Sequence, residues 1–327
     1  MHVRHLRTSS KKEIRIGGKR IRMDLIQKNL LSQIADLHEV PEGAYNIRAN
    51  GQSAGKNTTA NIDIVQKEDK DGIDIVIKPG TVNESVHIPV LLSQSGIQEV
   101  VYNDFYIGEG ADVTIVAGCG IHNCGVDTSK HDGVQTFYIG KNAKVKYVER
   151  HYGEGDGNGE NIMNPETIIH LEEGAMLEME TTQIKGIDST NRITRGDLAA
   201  GATLEVREKL MTHGKQYART DFSVDLNGDG CSANIISRSV ARDESRQEFF
   251  SNINGNSVCS GHSECDAIIM DKAVVAASPQ LTAANIDASL IHEAAIGKIA
   301  GEQLIKLMTL GLTEAEAEEQ IINGFLK

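Results

Sequence analysis

Two hydrophobic rhythms divide the chain. In residues 24–38, DLIQKNLLSQIADLH, the apolar positions Leu25, Ile26, Leu30, Leu31, Ile34 and Leu37 fall on one helical stripe. Pro41 forces extended backbone on the residue before it, so this helix is expected to stop short of it. Beyond that point apolar and polar residues alternate, and NIDIVQ and GIDIVIKPG read as strands. Helical spacing returns from residue 290, where KIAGEQLIKLMTLG places Ile299, Leu304, Leu307 and Met308 on one face. Gly311 suits the position just past that helix. Thr313 and Glu316 make a T-x-x-E capping box that opens a second helix in TEAEAEEQIINGF.

The alternating region repeats itself. FYIGEGADVTIV, FYIGKNAKVKYV, IHLEEGAMLEME, GDLAAGATLEVR and VDLNGDGCSANI are each a strand, a tight turn and a strand. Anchored on Ile107, Ile139, Leu171, Leu198 and Leu226, they recur at spacings of 32, 32, 27 and 28 residues. A near-constant period without intervening helices predicts a mainly β protein built as a parallel β-helix, a solenoid in which each coil stacks on the last. A sandwich or jelly roll is the competing architecture, disfavoured because one unit recurs where a sandwich has varied hairpins. The expected organisation is an N-terminal basic segment and helix over 1–40, a β-helix core over 41–290, and a C-terminal helical subdomain over 291–327.

Composition agrees. Aromatic residues make up 4% of the 327, Trp is absent and Gly occurs 32 times, which suits a turn-rich β protein. A net charge of -13 argues against nucleic acid as a partner. No run approaches the 18 or so apolar residues of a membrane span. The basic N-terminus lacks the apolar stretch of a secretory signal, and five scattered cysteines do not suit a disulfide scaffold, so a reducing cytoplasm is expected.

Four stretches invite a chemical reading. GQSAGKNTT (51–59) is one residue short of a phosphate-binding loop between its glycines and has Asn57 after Lys56, so a loop before NIDIVQ is expected. GEGDGNGEN (153–161) has the composition of a calcium loop but not its spacing, and reads as a flexible turn. CGIHNC with a following histidine gives Cys119, His122, Cys124 and His131, ligand types that suit zinc or iron, and is kept as a secondary metal candidate. CSGHSECDAIIMD offers Cys259, His262 and Cys265. As one strand it would spread the two thiols about 20 Å apart and turn His262 to the opposite face. A corner at SGHS followed by the strand ECDAIIMD is the preferred division, with Cys265 as a lone thiol.

The segment CDAIIMD…SLIHEAAIGKIAGEQLIKLMTLGLTEAEAEEQIINGF resembles the C-terminal region of the SufB/SufD family of iron–sulfur cluster assembly proteins. The resemblance rests on the Cys-Asp strand, the His-Glu-Ala step, Gly-Lys-Ile, the Gln-Leu helix, the Leu-Gly-Leu turn and the closing Asn-Gly-Phe. It is strong over residues 190–327 and extends weakly across the repeats. It implies a right-handed parallel β-helix acting as an assembly scaffold, not an enzyme with its own turnover, that receives sulfur and iron and builds a transient iron–sulfur cluster. It implies Cys265 and Glu293 as the counterparts of SufB's assembly residues and His292 as the counterpart of a SufD histidine. Carrying both sets suggests a self-sufficient homodimer through the β-helix, with a SufB/SufD-type heterodimer as the alternative. A SufC-like ABC ATPase is implied at the C-terminal helices, together with a sulfur donor. The long N-terminal extension and cysteine cluster of typical SufB are missing, which suggests a minimal form. Since thiolate binds iron and receives sulfur, Cys265 is expected to be accessible, with a depressed pKa. The rivals are a SufD-like structural subunit, a carbohydrate-active or acyl-transferring β-helix enzyme, and a protein with a structural zinc site. Whether Cys231 or Cys259 takes part is not legible.

Overall fold

The computed structural model describes residues 14–16, 19–21, 23–38 and 41–327. Most of the basic segment expected at the N-terminus lies outside these residues; its strands Ile14–Ile16 and Lys19–Ile21 pair antiparallel. The chain is mainly β, with 58% of it in strands and 11% in helices, and it winds into a β-solenoid of about 8 turns. Two ten-stranded sheets form the walls, and successive coils contribute one strand to each. The repeat anchors mark the coil register. Ile77, Ile107, Ile139, Leu171, Leu198 and Leu226 are consecutive partners up the first sheet.

Alternation sends every second side chain inward. In Thr203–Thr212, Leu204, Val206, Glu208 and Leu210 are buried while Glu205, Arg207 and Lys209 between them are not. The resulting core runs the length of the solenoid and includes Phe105, Phe137, Tyr147, Met179 and Phe222. Phe105 and Phe137 stack one coil apart, with centroids 4.5 Å from each other. Truncating one of these rings would cost about 3–5 kcal/mol. The two coils with a 32-residue spacing carry extra loops at 123–128 and 155–160 between their long strands. Later coils turn that corner in three or four residues, which is why their period shortens.

The ends differ. At the first end, the hairpins Ala44–Ala49 with Gln52–Asn57 and Ile62–Gln66 with Gly72–Ile77 terminate the sheets antiparallel. GQSAGKNTT is therefore hairpin rather than loop: its residues Gln52–Asn57 gain a ladder partner that local sequence does not reveal. At the far end, Val274–Ala283 and Ser289–Gly297 are the outermost strands, with no strand beyond them among the described residues. Helix α1 (Leu25–Ala35) lies against the second sheet, capped by Asp24 and Gln27 as a reciprocal box. Its approach depends on Gly118 and Gly120, where an added Cβ would come within 3.1 Å of Ile34 and Leu30. Helices α2 (Gly301–Thr309) and α3 (Glu314–Phe325) follow the last strand, and the Thr313–Glu316 capping box forms as expected. Ile322 and Leu326 anchor them beside Val240, with Ile268 and Ile299 packed against that cluster.

Candidate functional site

The strand that carries Cys265 runs Ser260–Ile269, so SGHS is not a corner. Those four residues pair in parallel with Ser232–Ile235 on one side and Ser289–His292 on the other. Gly261 is present for packing, not turning: a Cβ there would lie 2.8 Å from both Ile253 Cγ2 and Leu290 Cδ2. The chain turns earlier, at Asn256–Val258. One uninterrupted strand then fixes the faces. Gly261, Ser263, Cys265 and Ala267 point inward, while His262, Glu264 and Asp266 are partly exposed on the outside.

On the inner face Cys265 ends a row of stacked residues. Glu149, Thr181, Glu208, Ser237 and Cys265 are consecutive partners up the second sheet, followed by Ala294. Several of them are bridged by buried polar groups. Arg192 Nη1 donates to Glu149 Oε2 at 2.5 Å and its Nε lies 3.6 Å from Glu208 Oε1. Thr220 and Ser237 both donate to Glu208, at 2.9 and 2.7 Å. Tyr147 donates to Glu149 Oε1 at 3.0 Å. Cys265 itself is 1% exposed. Burial, with Glu208 and Asp266 nearby, pushes its thiol up to about 12. The expected accessible, depressed thiol is thus corrected: an inward side chain loses water and faces anions, both of which favour S–H over thiolate.

The outer face assembles a different group. Glu293 lies one coil above Glu264 in register, and His262 Nε2 is 3.7 Å from Glu293 Oε2. One ligand atom from each of His262, Glu264 and Glu293 lies within 4.8 Å of the others, a spacing that fits one metal ion. His262 Nδ1 sits 2.9 Å from Asn234 Oδ1, so that nitrogen carries the proton and Nε2 keeps its lone pair outward. Burial and the neighbouring Asp266 raise the Glu264 carboxyl above its usual range, although Arg238 Nη2 lies 3.9 Å from Glu264 Oε1 and opposes the shift. Sequence reasoning placed His262 in a corner, set it opposite the thiols only in the one-strand division it disfavoured, and did not pair it with Glu293. The available signal was parity combined with coil period, since Glu264 and Glu293 are 29 residues apart and face the same way.

His292 stacks on Ser263, on the inner side, and Cys265 stacks under Ala294. His292 and Cys265 therefore share a face one coil and two positions apart, with Glu293 on the opposite face. Both ring nitrogens of His292 are shielded from solvent and make no well-aligned hydrogen bond among the described residues, with the Ser263 backbone close enough to interact weakly with the ring. Burial, with His262 close by, holds this imidazole below its usual pKa, so it is a neutral ring with a free lone pair.

The secondary candidates divide into two pairs. Cys119 and His131 face the interior, where they line a small cavity with Gln135, Glu149 and His151. Burial raises the Cys119 thiol well above its ordinary value, and His131 Nδ1 is 3.0 Å from Glu99. His122 and Cys124 lie outside, at the following corner, with Cys124 exposed. The glycine-rich stretch at 153–161 is not a flexible turn. Gly157 N donates to Asn123 O and Gly159 N to Gly125 O, so this loop is laced to the one a coil below. Cys231 and Cys259 are buried in the core.

Comparison with known proteins places this architecture. Residues 94–325 match the model described as SUF system FeS cluster assembly, SufBD core domain. An iron–sulfur cluster assembly SufBD family protein of Methanocaldococcus jannaschii is 28% identical over 270 residues, covering 80% of this chain and 84% of that one. One from Pyrococcus horikoshii is 31% identical over 287 residues, covering 83% of each. One from Methanothermobacter thermautotrophicus (strain Winter) is 28% identical over 244 residues, and there the match spans 57% of the relative. The repeat register, the Cys-Asp and His-Glu steps and these matches agree: the chain belongs to the SufBD family of iron–sulfur cluster assembly proteins.

Proposed function

We propose that this chain is the scaffold on which an iron–sulfur cluster is built, with His262, Glu264 and Glu293 receiving iron and with Cys265 and His292 joining as the cluster forms. The observation that carries this reading is His292, whose two nitrogens are withdrawn from water and lack a well-aligned hydrogen bond among the described residues. A buried, unsatisfied imidazole costs about 1–3 kcal/mol, and a bound ion would remove that cost. Hard carboxylates with one or two imidazoles suit ferrous iron before sulfide is abundant, and thiolate suits the sulfided product. Iron supplies the charge that Cys265 lacks: coordination displaces the thiol proton even where the free thiol resists ionisation.

Opening is needed for that step, because Cys265 faces inward. Movement of the last coil and the helices behind it would supply that opening. Ile305, Met308 and Leu310 of the α2 segment are exposed, an apolar face suited to a SufC-like ATPase. The outermost strands carry exposed Val274, Leu281, Ile291 and Ile296 beside unpaired backbone edges, which suits a second copy of the chain. In such a homodimer, ATP-driven movement of the helices would expose the inner thiol to iron and to the sulfur donor. A cytoplasmic setting accords with five free thiols.

A second reading, a SufD-like structural subunit with an inert Cys265, draws support from that residue's burial. Anaerobic reconstitution with ferrous iron and sulfide separates the two. The scaffold develops the broad visible absorption of an iron–sulfur cluster, and C265S and E293A each lose most of it while keeping the wild-type fold. Full colour in C265S would leave the structural reading standing.

A further inference from the structure

We propose a second reactive centre, 122–124 at the corner after the strand Asp112–His122, in which Cys124 is a sulfane-sulfur acceptor activated by His122 and Glu154. The geometry is that of a nucleophile, its base and an orienting acid. Cys124 Sγ is 3.0 Å from His122 Nε2, and His122 Nδ1 is 3.1 Å from Glu154 Oε1. Glu154 is the coil-to-coil partner of His122, so the solenoid's register sets that contact. Its carboxylate is held further by Tyr152 Oη at 3.0 Å and by Asn29 Nδ2 of α1, 3.3 Å from each oxygen. Accepting the Nδ1 proton, Glu154 leaves Nε2 as the lone pair that faces the thiol. Asp156 is also close enough to accept from the Cys124 thiol, which holds its own carboxyl below the usual range. Lys185 Nζ lies over the Tyr152 ring, 5.7 Å from its centroid. The corner is rigid: Asn123 binds Gly125 N and Asp127 O, and the glycine-rich loop above is laced to its backbone.

Of the five cysteines only Cys124 is exposed, so it is the thiol a second protein or a small persulfide can reach. This inference rests on the assembly role proposed above, which requires a supply of sulfur. The step is a transfer between sulfurs. His122 Nε2 takes the Cys124 proton, and Sγ attacks the outer sulfur of a donor persulfide, R–S–SH. A new Sγ–S bond forms as the donor S–S bond breaks, and the electron pair leaves on the donor as R–S⁻. That sulfur takes the proton from His122, giving Cys124–S–SH and R–SH with no net oxidation.

The test loads the full chain with glutathione persulfide, blocks it with iodoacetamide and locates the added sulfur by peptide mass. The wild type is expected to carry one extra sulfur on Cys124 and C124S none there. H122Q, or H122N should the first fold poorly, is expected to load at least tenfold more slowly. Glu154 acts through His122, so E154Q should slow sulfur loading while E154D restores most of the rate, a rescue that a purely structural role would not give. Sulfur found on another cysteine, or loading of H122Q and H122N at the wild-type rate, overturns the proposal. Wild-type protein given iron and free sulfide, with no persulfide, tests the scaffold reading separately, so the two can fail independently.

Discussion

Glu149 is a carboxylate in the interior of the solenoid, 2% exposed, held there by Arg192. Burial alone would raise its pKa, but His151 and Arg192 more than offset that and hold it well below the usual carboxylate range. A depressed folded-state pKa means the unfolded chain binds this proton first. The stabilisation is therefore complete above the unfolded pKa near 4.3 and drains as pH falls toward the folded value. E149Q removes the charge and leaves Arg192 with Glu208 alone at 3.6 Å. Urea unfolding at pH 7 should show the variant destabilised by about 3 kcal/mol. The gap should narrow at pH 3, where the wild type is itself losing the ion. An equal gap at both values would mean that Glu149 contributes through shape and not charge. None of this pairing was legible beforehand, since Glu149 and Arg192 are 43 residues apart and on different walls. Cys265 shows the same limit more sharply. The sequence located the thiol, but one-residue parity along an unbroken strand decides whether it meets solvent or the interior, and Gly261 disguised that strand as a corner.

At the level of elements, the alternation of burial and the anchors Ile107 to Leu226 were legible because each coil solves one packing problem with the same residues. The loops were not, because their partners are loops one coil away. GEGDGNGEN places glycine at every second position, and the structure gives the reason. A Cβ on Gly155, Gly157 or Gly159 would lie 2.1, 2.3 or 2.2 Å from a backbone oxygen of the loop beneath. Backbone cannot yield there as a side-chain tip could. Gly155 also has φ of +123°, a conformation that an alanine adopts only with strain. Gly155→Ala should therefore destabilise the protein by about 3 kcal/mol or more in equilibrium unfolding. Gly110→Ala, whose φ is +65° but whose Cβ would meet nothing within 4 Å, should cost only about 1 kcal/mol. Equal losses at both sites would refute the close-stacking explanation and leave backbone strain alone.

The whole molecule is polar in the sense of having two unlike ends. Antiparallel hairpins finish the first end, so its outermost strands have a neighbour on one side and are turned back on themselves. Among the described residues the far end has no such finish. The helices that follow it anchor beside Val240 rather than covering the last coil, in which Ile291 is 52% and Val274 49% exposed. Solenoids generally need a polar terminal repeat to remain soluble, and an open parallel edge with apolar side chains seeks another edge. Glu293 and His292 lie in this last coil and His262 and Glu264 in the coil beneath it, so the proposed iron site adjoins the surface that wants a partner. A second copy meeting the first across the twofold at these strands would double the ligand set and shelter it from water. Light scattering on the purified chain should then give twice the monomer mass, and Ile291→Lys with Leu281→Lys should return it to the monomer while circular dichroism remains that of a β-solenoid. The same pair should cut iron binding by at least tenfold if ligands from both copies share the metal. A monomeric double variant that binds iron as tightly as the wild type would confine the site to one chain, and an unchanged dimer would move the interface away from the last coil.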